Sequence, residues 1–193
     1  MATKLGSSLY KQNVKDAVEQ ILVSFGIDLN QPDFQETPVR VAKMYEEFFS
    51  GVDKEYEVDD MLKKWFPTNN DQMIIVKDFN AYSICPHHLM PVTYDVAIGC
   101  IPNKRALGLS KFVRVTQTLA RRPILQENLT QEIADKIQEY LDPKGVVVNL
   151  VGRHGCMMFR GVKELHSNTI TSALTGVFSE DSSAKAEFFS LIR

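Results

Sequence analysis

Three cysteines and four histidines are all this chain holds, and five of the seven fall in two short runs. Cys85-Pro86-His87-His88 puts a thiol and two imidazoles within four residues, and His154-Gly155-Cys156 follows about seventy residues later. Soft donors gathered in this way predict one metal site built by two distant segments. That constrains the fold, because the elements carrying 85–88 and 154–156 must end side by side. Cys85, His88 and Cys156 offer two thiolates and one imidazole, a borderline-soft set that suits zinc. Three protein ligands leave a fourth tetrahedral position for water, the pattern of a catalytic rather than a closed structural site. Water bound there would be a nucleophile near neutral pH. If 154–156 is extended, residues two apart face one side, so His154 and Cys156 project together. His87 and His154 are then spare groups for moving protons. Cys-x-x-His alone is a weak half-site, and the competing reading is a pair of buried thiols with a packed histidine. The second half-site and the cationic residues below weigh against it. Cys100, alone in an apolar stretch, is expected in the core.

Over 193 residues, 44% are hydrophobic and 24% charged, enough for one real core with an appended helical piece. Net charge is −2, so no basic field points to nucleic acid. An odd number of cysteines does not build a disulfide framework and fits a reducing, cytoplasmic setting with thiols available as ligands. Residues 1–12 are polar and lack the apolar region of a secretory signal, and no apolar run approaches the ~20 residues of a membrane span.

Along the chain, Val14, Ala17, Val18, Ile21, Leu22 and Phe25 recur at helical spacing, and Gly26 ends that run. Glu36-Thr37-Pro38 opens a second helix with Thr37 as N-cap, and Ser50-Gly51 ends it. Residues 53–70 are charged and polar and predict a linker or irregular crossing, anchored by Trp65, the only tryptophan. β-Branched and aromatic residues over 73–84 and 92–101 predict two antiparallel strands, with 87–91 at the connection. Ser110 caps a helix to about residue 122, where Pro123 interrupts it. The next helix spans 126–141 with Leu129, Ile133, Ile137 and Leu141 inward. A turn over 142–145 leads to a strand at 146–151 so apolar that both faces are expected to be buried. A fourth strand is expected over 169–178, and Ser182 caps a last short helix. The class is α+β, an antiparallel sheet with a ββααββ core flanked by N-terminal helices.

Several residues suit an anion. Ser110 and Lys111 begin a helix, where free N–H groups and the dipole favour phosphate. Arg114 shares a face with Lys111, and Arg160 lies four residues after Cys156. Arg40 and Lys43, three apart on the second helix, are either a solvated face or further anion contacts. Three cations converging on one site would mark a polyphosphate. Gln126-Glu127 heads a helix, where a carboxylate either complements the dipole or accepts from the N1–H and 2-amino groups of a guanine.

Together these runs resemble the GTP cyclohydrolase I family. The likeness is carried by Glu36-Thr37-Pro38 with Arg40 and Lys43; Cys85-x-His87-His88; Gly108-Leu109-Ser110-Lys111 with Arg114; Arg122-Pro123 and Gln126-Glu127-x-Leu129-Thr130; His154-x-Cys156; Arg160-Gly161; and the serine- and threonine-rich 167–178. The resemblance implies a tunnelling fold whose sheet joins a β-barrel in a homo-oligomer, a homodecamer of two pentamers with active sites at subunit interfaces. It divides the chain into an N-terminal helical segment, 1–52, and a catalytic domain, 53–193. The implied reaction converts GTP and water into 7,8-dihydroneopterin triphosphate and formate, a first step toward folate, biopterin or deazapurine. It implies zinc on Cys85, His88 and Cys156. His87 and His154 would move protons, and Ser110 would assist the later ribose rearrangement and ring closure. Glu127 with Gln126 would hold guanine. Lys111, Arg114 and Arg160 would hold the triphosphate, with Arg40 and Lys43 contributing from a neighbouring subunit.

The chain also departs from the family's usual pattern. Pro86 stands where glutamate is usual. Tyr94-Asp95-Val96-Ala97-Ile98-Gly99-Cys100 replaces a run that commonly reads Gly-Lys-Ala-His-Val-Ala-Tyr, and Asn128 replaces an arginine. Two other readings compete. A related enzyme acting on another purine or pterin would not need Lys111, Arg114 and Arg160. A non-catalytic zinc scaffold would need neither His87 nor His154.

Overall fold

A computed structural model describes residues 8–193; the first seven residues, part of the stretch expected to lack a signal, lie outside it. The centre is a four-stranded antiparallel sheet in the order β2-β3-β5-β6, formed by β2 (Ile74–Ile84), β3 (Pro91–Ile101), β5 (Gly145–His154) and β6 (Thr169–Leu174). Two helices, α4 (Leu109–Ala120) and α5 (Gln126–Leu141), lie across one face, so the order is the expected ββααββ. A two-stranded ribbon, β1 (Phe66–Pro67) with β4 (Arg105–Ala106), sits beside it.

Periodicity sets the core. Leu129, Ile133, Ile137 and Leu141 recur every four residues along α5 and are wholly buried. Each contributes about 1.5–3 kcal/mol against the sheet. They meet Val146, Val148 and Leu150 from β5 and Val96, Ile98 and Cys100 from β3. The alternate residues of these strands face the opposite side, where Ala97 and Val147 pack under Phe178 and Phe188. These two phenylalanines come from α7 (Val177–Glu180) and α8 (Ser182–Leu191), so β5 is covered on both faces as its composition predicts. Burial pushes the Cys100 thiol up to about 12, which leaves it an inert core residue. At the N-terminus, α1 (Ser8–Ser24) packs on α2 (Thr37–Phe48), and Gly26 at φ +76° ends the first helix run.

Five local expectations are corrected. Residues 53–70 are not a linker: α3 (Glu55–Leu62) forms there, with Val58 and Leu62 one turn apart and fully buried against the core. Its remaining residues are mostly charged, which hid the two-residue stripe; Asp59 pairs with Lys136 of α5 at 2.9 Å. Thr37 does not cap α2. The helix is entered from a turn already helical at Glu36, and the Thr37 hydroxyl faces the Asp33 carbonyl at 3.5 Å. Gly108, not Ser110, is the N-cap of α4, since Ser110 already lies in its first turn. Asp181, not Ser182, caps α8, its carboxylate accepting from the Ser183 N–H at 2.7 Å. The last strand stops at Leu174, where Gly176 at φ +51° turns the chain into α7.

Among the described residues no helix is long and apolar enough to cross a membrane.

Candidate metal centre and active site

Strand register brings the two donor runs together. Ile84, the last residue of β2, pairs with Pro91, and Val92 pairs with His154, the last residue of β5. The intervening turn is tight: the Cys85 N–H donates to the Met90 carbonyl and the Leu89 N–H to the Cys85 carbonyl, both at 2.9 Å. Leu89 takes φ +53° to close it. Beyond His154 the chain does not stay extended. It turns at once into α6 (Gly155–Met158), so Cys156 reaches the site from a helical turn and the strand argument for its direction is corrected. Gly155 permits the junction, because a Cβ there would lie 2.9 Å from the Pro91 carbonyl oxygen.

One donor atom each from Cys85, His88 and Cys156 lies within 4.8 Å of the others. Cys85 Sγ is 3.7 Å from His88 Nδ1. Sulfur and nitrogen bound to one tetrahedral zinc lie about 3.5 Å apart, so the Cys85–His88 pair fits that ion in spacing and the three donors fit it in softness. All three cysteines are free thiols. Burial pushes the Cys156 thiol up, its neighbour Cys85 adds to the shift, and Arg160 opposes it. A cation bound beside Cys156 would likewise oppose the rise and favour its thiolate. Arg160 Nη1 lies 3.1 Å from His88 Nε2. A guanidinium only donates, so Nε2 accepts and Nδ1 carries the ring proton.

A third segment joins them. After α4, the extended residues Arg122-Pro123-Ile124 run along the end of β2: the Ile84 N–H donates to the Arg122 carbonyl at 3.4 Å and the Ile124 N–H to the Ile84 carbonyl at 3.2 Å. This lays the head of α5 beside the metal group. There Gln126 is buried and its amide fully engaged. Its Nε2 donates to the Leu150 carbonyl (3.2 Å), the Thr169 carbonyl (2.9 Å) and Thr171 Oγ1 (3.0 Å). Its Oε1 lies 2.8 Å from His154 Nε2. An amide nitrogen facing three acceptors leaves the oxygen for His154, so the imidazole Nε2–H donates and Nδ1 keeps its lone pair. Burial pulls the His154 imidazole below the ordinary histidine value, with Glu127 pulling the other way. The Gln126 amide sits where a side chain on Gly152 would stand.

The remaining sequence candidates are placed differently. His87 is exposed, its ring edge-on to His88 at 6.2 Å. Glu127 is exposed at the first turn of α5. Ser110 and Arg114 are exposed on α4, while the Lys111 ammonium donates to the Lys64 carbonyl beyond α3. Arg114 lines a cleft with Ser50, Met61 and Gln117. Arg40 and Lys43 are exposed on α2. Within one chain Arg160 therefore joins the thiol–imidazole group, whereas the described contacts of Lys111 and Arg114 lie toward α3. One neighbour of the site went unassigned from sequence: Tyr94, which is buried on β3 opposite Gly152. Only the strand register reveals it.

Comparison with known proteins shows the family. The family model described as GTP cyclohydrolase I matches residues 14–193. A "GTP cyclohydrolase 1" of Caldanaerobacter subterraneus subsp. tengcongensis is 45% identical over 183 residues, 94% of this chain and 96% of the relative. One of Clostridium perfringens is 42% identical over 182 residues, covering 94% and 97%. One of Thermoanaerobacter pseudethanolicus is 44% identical over 183 residues, covering 94% and 96%. With that match running from α1 to the last residue, the chain belongs to the GTP cyclohydrolase I family of enzymes.

Proposed function

We propose that the protein is a zinc-dependent GTP cyclohydrolase I that converts GTP and water into 7,8-dihydroneopterin triphosphate and formate. The observation that carries this reading is the Cys85–His88–Cys156 donor set with a histidine, His154, held beside it in one tautomer. Bound there, zinc would supply Lewis acidity that makes water a nucleophile at neutral pH, aimed at C8 of the purine. The chain's own groups do the rest. His154 Nδ1 offers a lone pair to take a proton, and burial keeps the ring neutral and ready to accept one. His87, exposed next to His88, is placed to return protons during imidazole-ring opening and loss of formate. Glu127 accepts from the guanine N1–H and 2-amino group. The Gln126 side chain serves His154 instead, so its contribution to guanine falls to its backbone. Arg160 binds the triphosphate from the metal side.

Lys111 and Arg114 make their described contacts toward α3 and not with this chain's own metal group, which favours a site completed by a second copy. The tunnelling-fold assembly, a homodecamer of two pentamers with a β-barrel, supplies such copies, with Arg40 and Lys43 contributing from a neighbour. The edges of β2 and β6 are where further strands would join. Residues 1–52 act as a helical segment outside the catalytic domain, 53–193.

The test is formate release from GTP, with pterin fluorescence after oxidation. His154→Ala should abolish turnover by about 10²–10⁴-fold while retaining zinc. Unchanged turnover in that variant, or GTP bound with no formate released by the zinc-loaded parent, would overturn the reading.

A further inference from the structure

Tyr94 has no part in the chemistry above, yet its strand lies between the two that lead into the site, β2 and β5. It lies on β3 at 1% exposure, and the strand register sets it opposite Gly152 of β5. Two groups fill the space that Gly152 leaves open. The Gln126 amide carbon lies 2.9 Å, and Tyr94 Cε1 3.1 Å, from the point where a Cβ would stand. The ring edge and the amide therefore share one small pocket over Gly152. From that pocket Gln126 Oε1 reaches His154.

The other end of the same side chain points to the other half-site. Tyr94 Oη and Ser83 Oγ are 2.7 Å apart and both buried. Ser83 is the penultimate residue of β2 and Cys85 the first residue beyond it, so the hydroxyl pair ties down the strand end from which Cys85 emerges. Ser83 and Tyr94 have no solvent to replace one another, and each would leave the other unsatisfied if removed. Burial also pushes the phenol up to about 12, so it remains a neutral hydrogen-bonding group at any working pH.

We propose that Tyr94 is a positioning residue that joins the two halves of the site, its ring bracing Gln126 and through it His154, its hydroxyl fixing through Ser83 the strand end that presents Cys85. The kinetic part of this rests on the cyclohydrolase reading; the metal-binding part does not.

Three variants separate the two ends of the side chain: Tyr94→Phe keeps the ring, Ser83→Ala removes its partner, and Tyr94→Leu removes ring and hydroxyl. Metal affinity is read by competition with a chelating dye, and ligand geometry by the visible spectrum of the cobalt-loaded protein. Tyr94→Phe and Ser83→Ala should each weaken metal binding by about 3–10-fold and shift the cobalt bands, with the double variant no worse than either single one. At saturating zinc, Tyr94→Phe should lower kcat less than Tyr94→Leu does, because it keeps the ring. Tyr94→Leu should lower kcat by about 10-fold or more with KM for GTP unchanged, because orientation and not binding is lost. Parental metal affinity and an unshifted cobalt spectrum in Tyr94→Phe and Ser83→Ala would overturn the joining role, as would a parental kcat in folded Tyr94→Leu. If Tyr94→Leu does not fold, the two volume-conserving variants decide. If the parent releases no formate, the cyclohydrolase reading fails while the cobalt and affinity comparison still decides the role of Tyr94.

Discussion

Gly152→Ala is a one-carbon change that should disable the site without touching a metal ligand. A Cβ at that position would fall inside the contact radius of Gln126 Oε1, 2.9 Å from the amide carbon and 3.1 Å from Tyr94 Cε1. The backbone of β5 cannot retreat, since Gly152 is paired on both sides, with Tyr94 in β3 and with Thr169 in β6. The amide must therefore give way, by about 1 Å or more. It gives way at the expense of the bonds its two N–H groups share among Leu150, Thr169 and Thr171, and of the 2.8 Å bond that holds His154. Overpacking costs about 1–3 kcal/mol, and a buried amide bond lost outright adds about 1 kcal/mol, so losing the His154 bond alone brings the fall in stability to about 2–4 kcal/mol. Activity should fall further than stability implies. A base displaced by about 1 Å loses roughly 10²-fold in rate. The assay is kcat for formate release at saturating GTP and zinc, with urea unfolding on the same sample. Zinc content should remain that of the parent. A kcat within about threefold of the parent in a variant of lowered stability would refute the argument that Gln126 sets His154.

Three further outcomes follow from the packing. Gly155→Ala should loosen the junction against the Pro91 carbonyl and weaken metal binding by about 10-fold, measured by chelator competition. Leu62→Ala, in the helix that sequence missed, should cost about 2–5 kcal/mol by urea unfolding, because the side chain is fully buried against the core. The Asp59–Lys136 pair should show in the pH dependence of stability: the Lys136 ammonium holds the Asp59 carboxyl below its usual value. Stability from that group is then present above the unfolded carboxylate value near pH ~4 and lost as pH falls through the lower folded value, so Asp59→Asn should flatten the acid side of the profile.

How much of this was legible beforehand follows the physics of each element. The long amphipathic run of α5 and the paired apolar strands β2 and β3 stand out because burial repeats at a fixed period. The stripe of α3 has only Val58 and Leu62 to show, in a sequence otherwise charged, and a two-residue stripe is below what periodicity can resolve. Caps misled for a related reason: Thr37, Ser110 and Ser182 are all good capping residues by type, but each sits one or two positions inside a helix that a neighbouring residue begins. At the site, the soft-donor pattern found Cys85, His88 and Cys156, since ligand chemistry is written in residue type. The route of Cys156 was not visible, because Gly155 turns the chain into α6 only on meeting Pro91. Nor was the engagement of Gln126, whose four partners come from two strands, β5 and β6, and depend on Gly152 having no side chain. Residue type announces the chemistry; register and close approach decide which group serves it.

Metal content and formate release measured on one preparation, during stepwise chelation, test the central claim most directly. The account predicts about one zinc per chain, formate release that falls in proportion to zinc removed, and recovery when zinc is restored. Full formate release from protein stripped of its metal, or none from zinc-loaded protein that binds GTP, would contradict it.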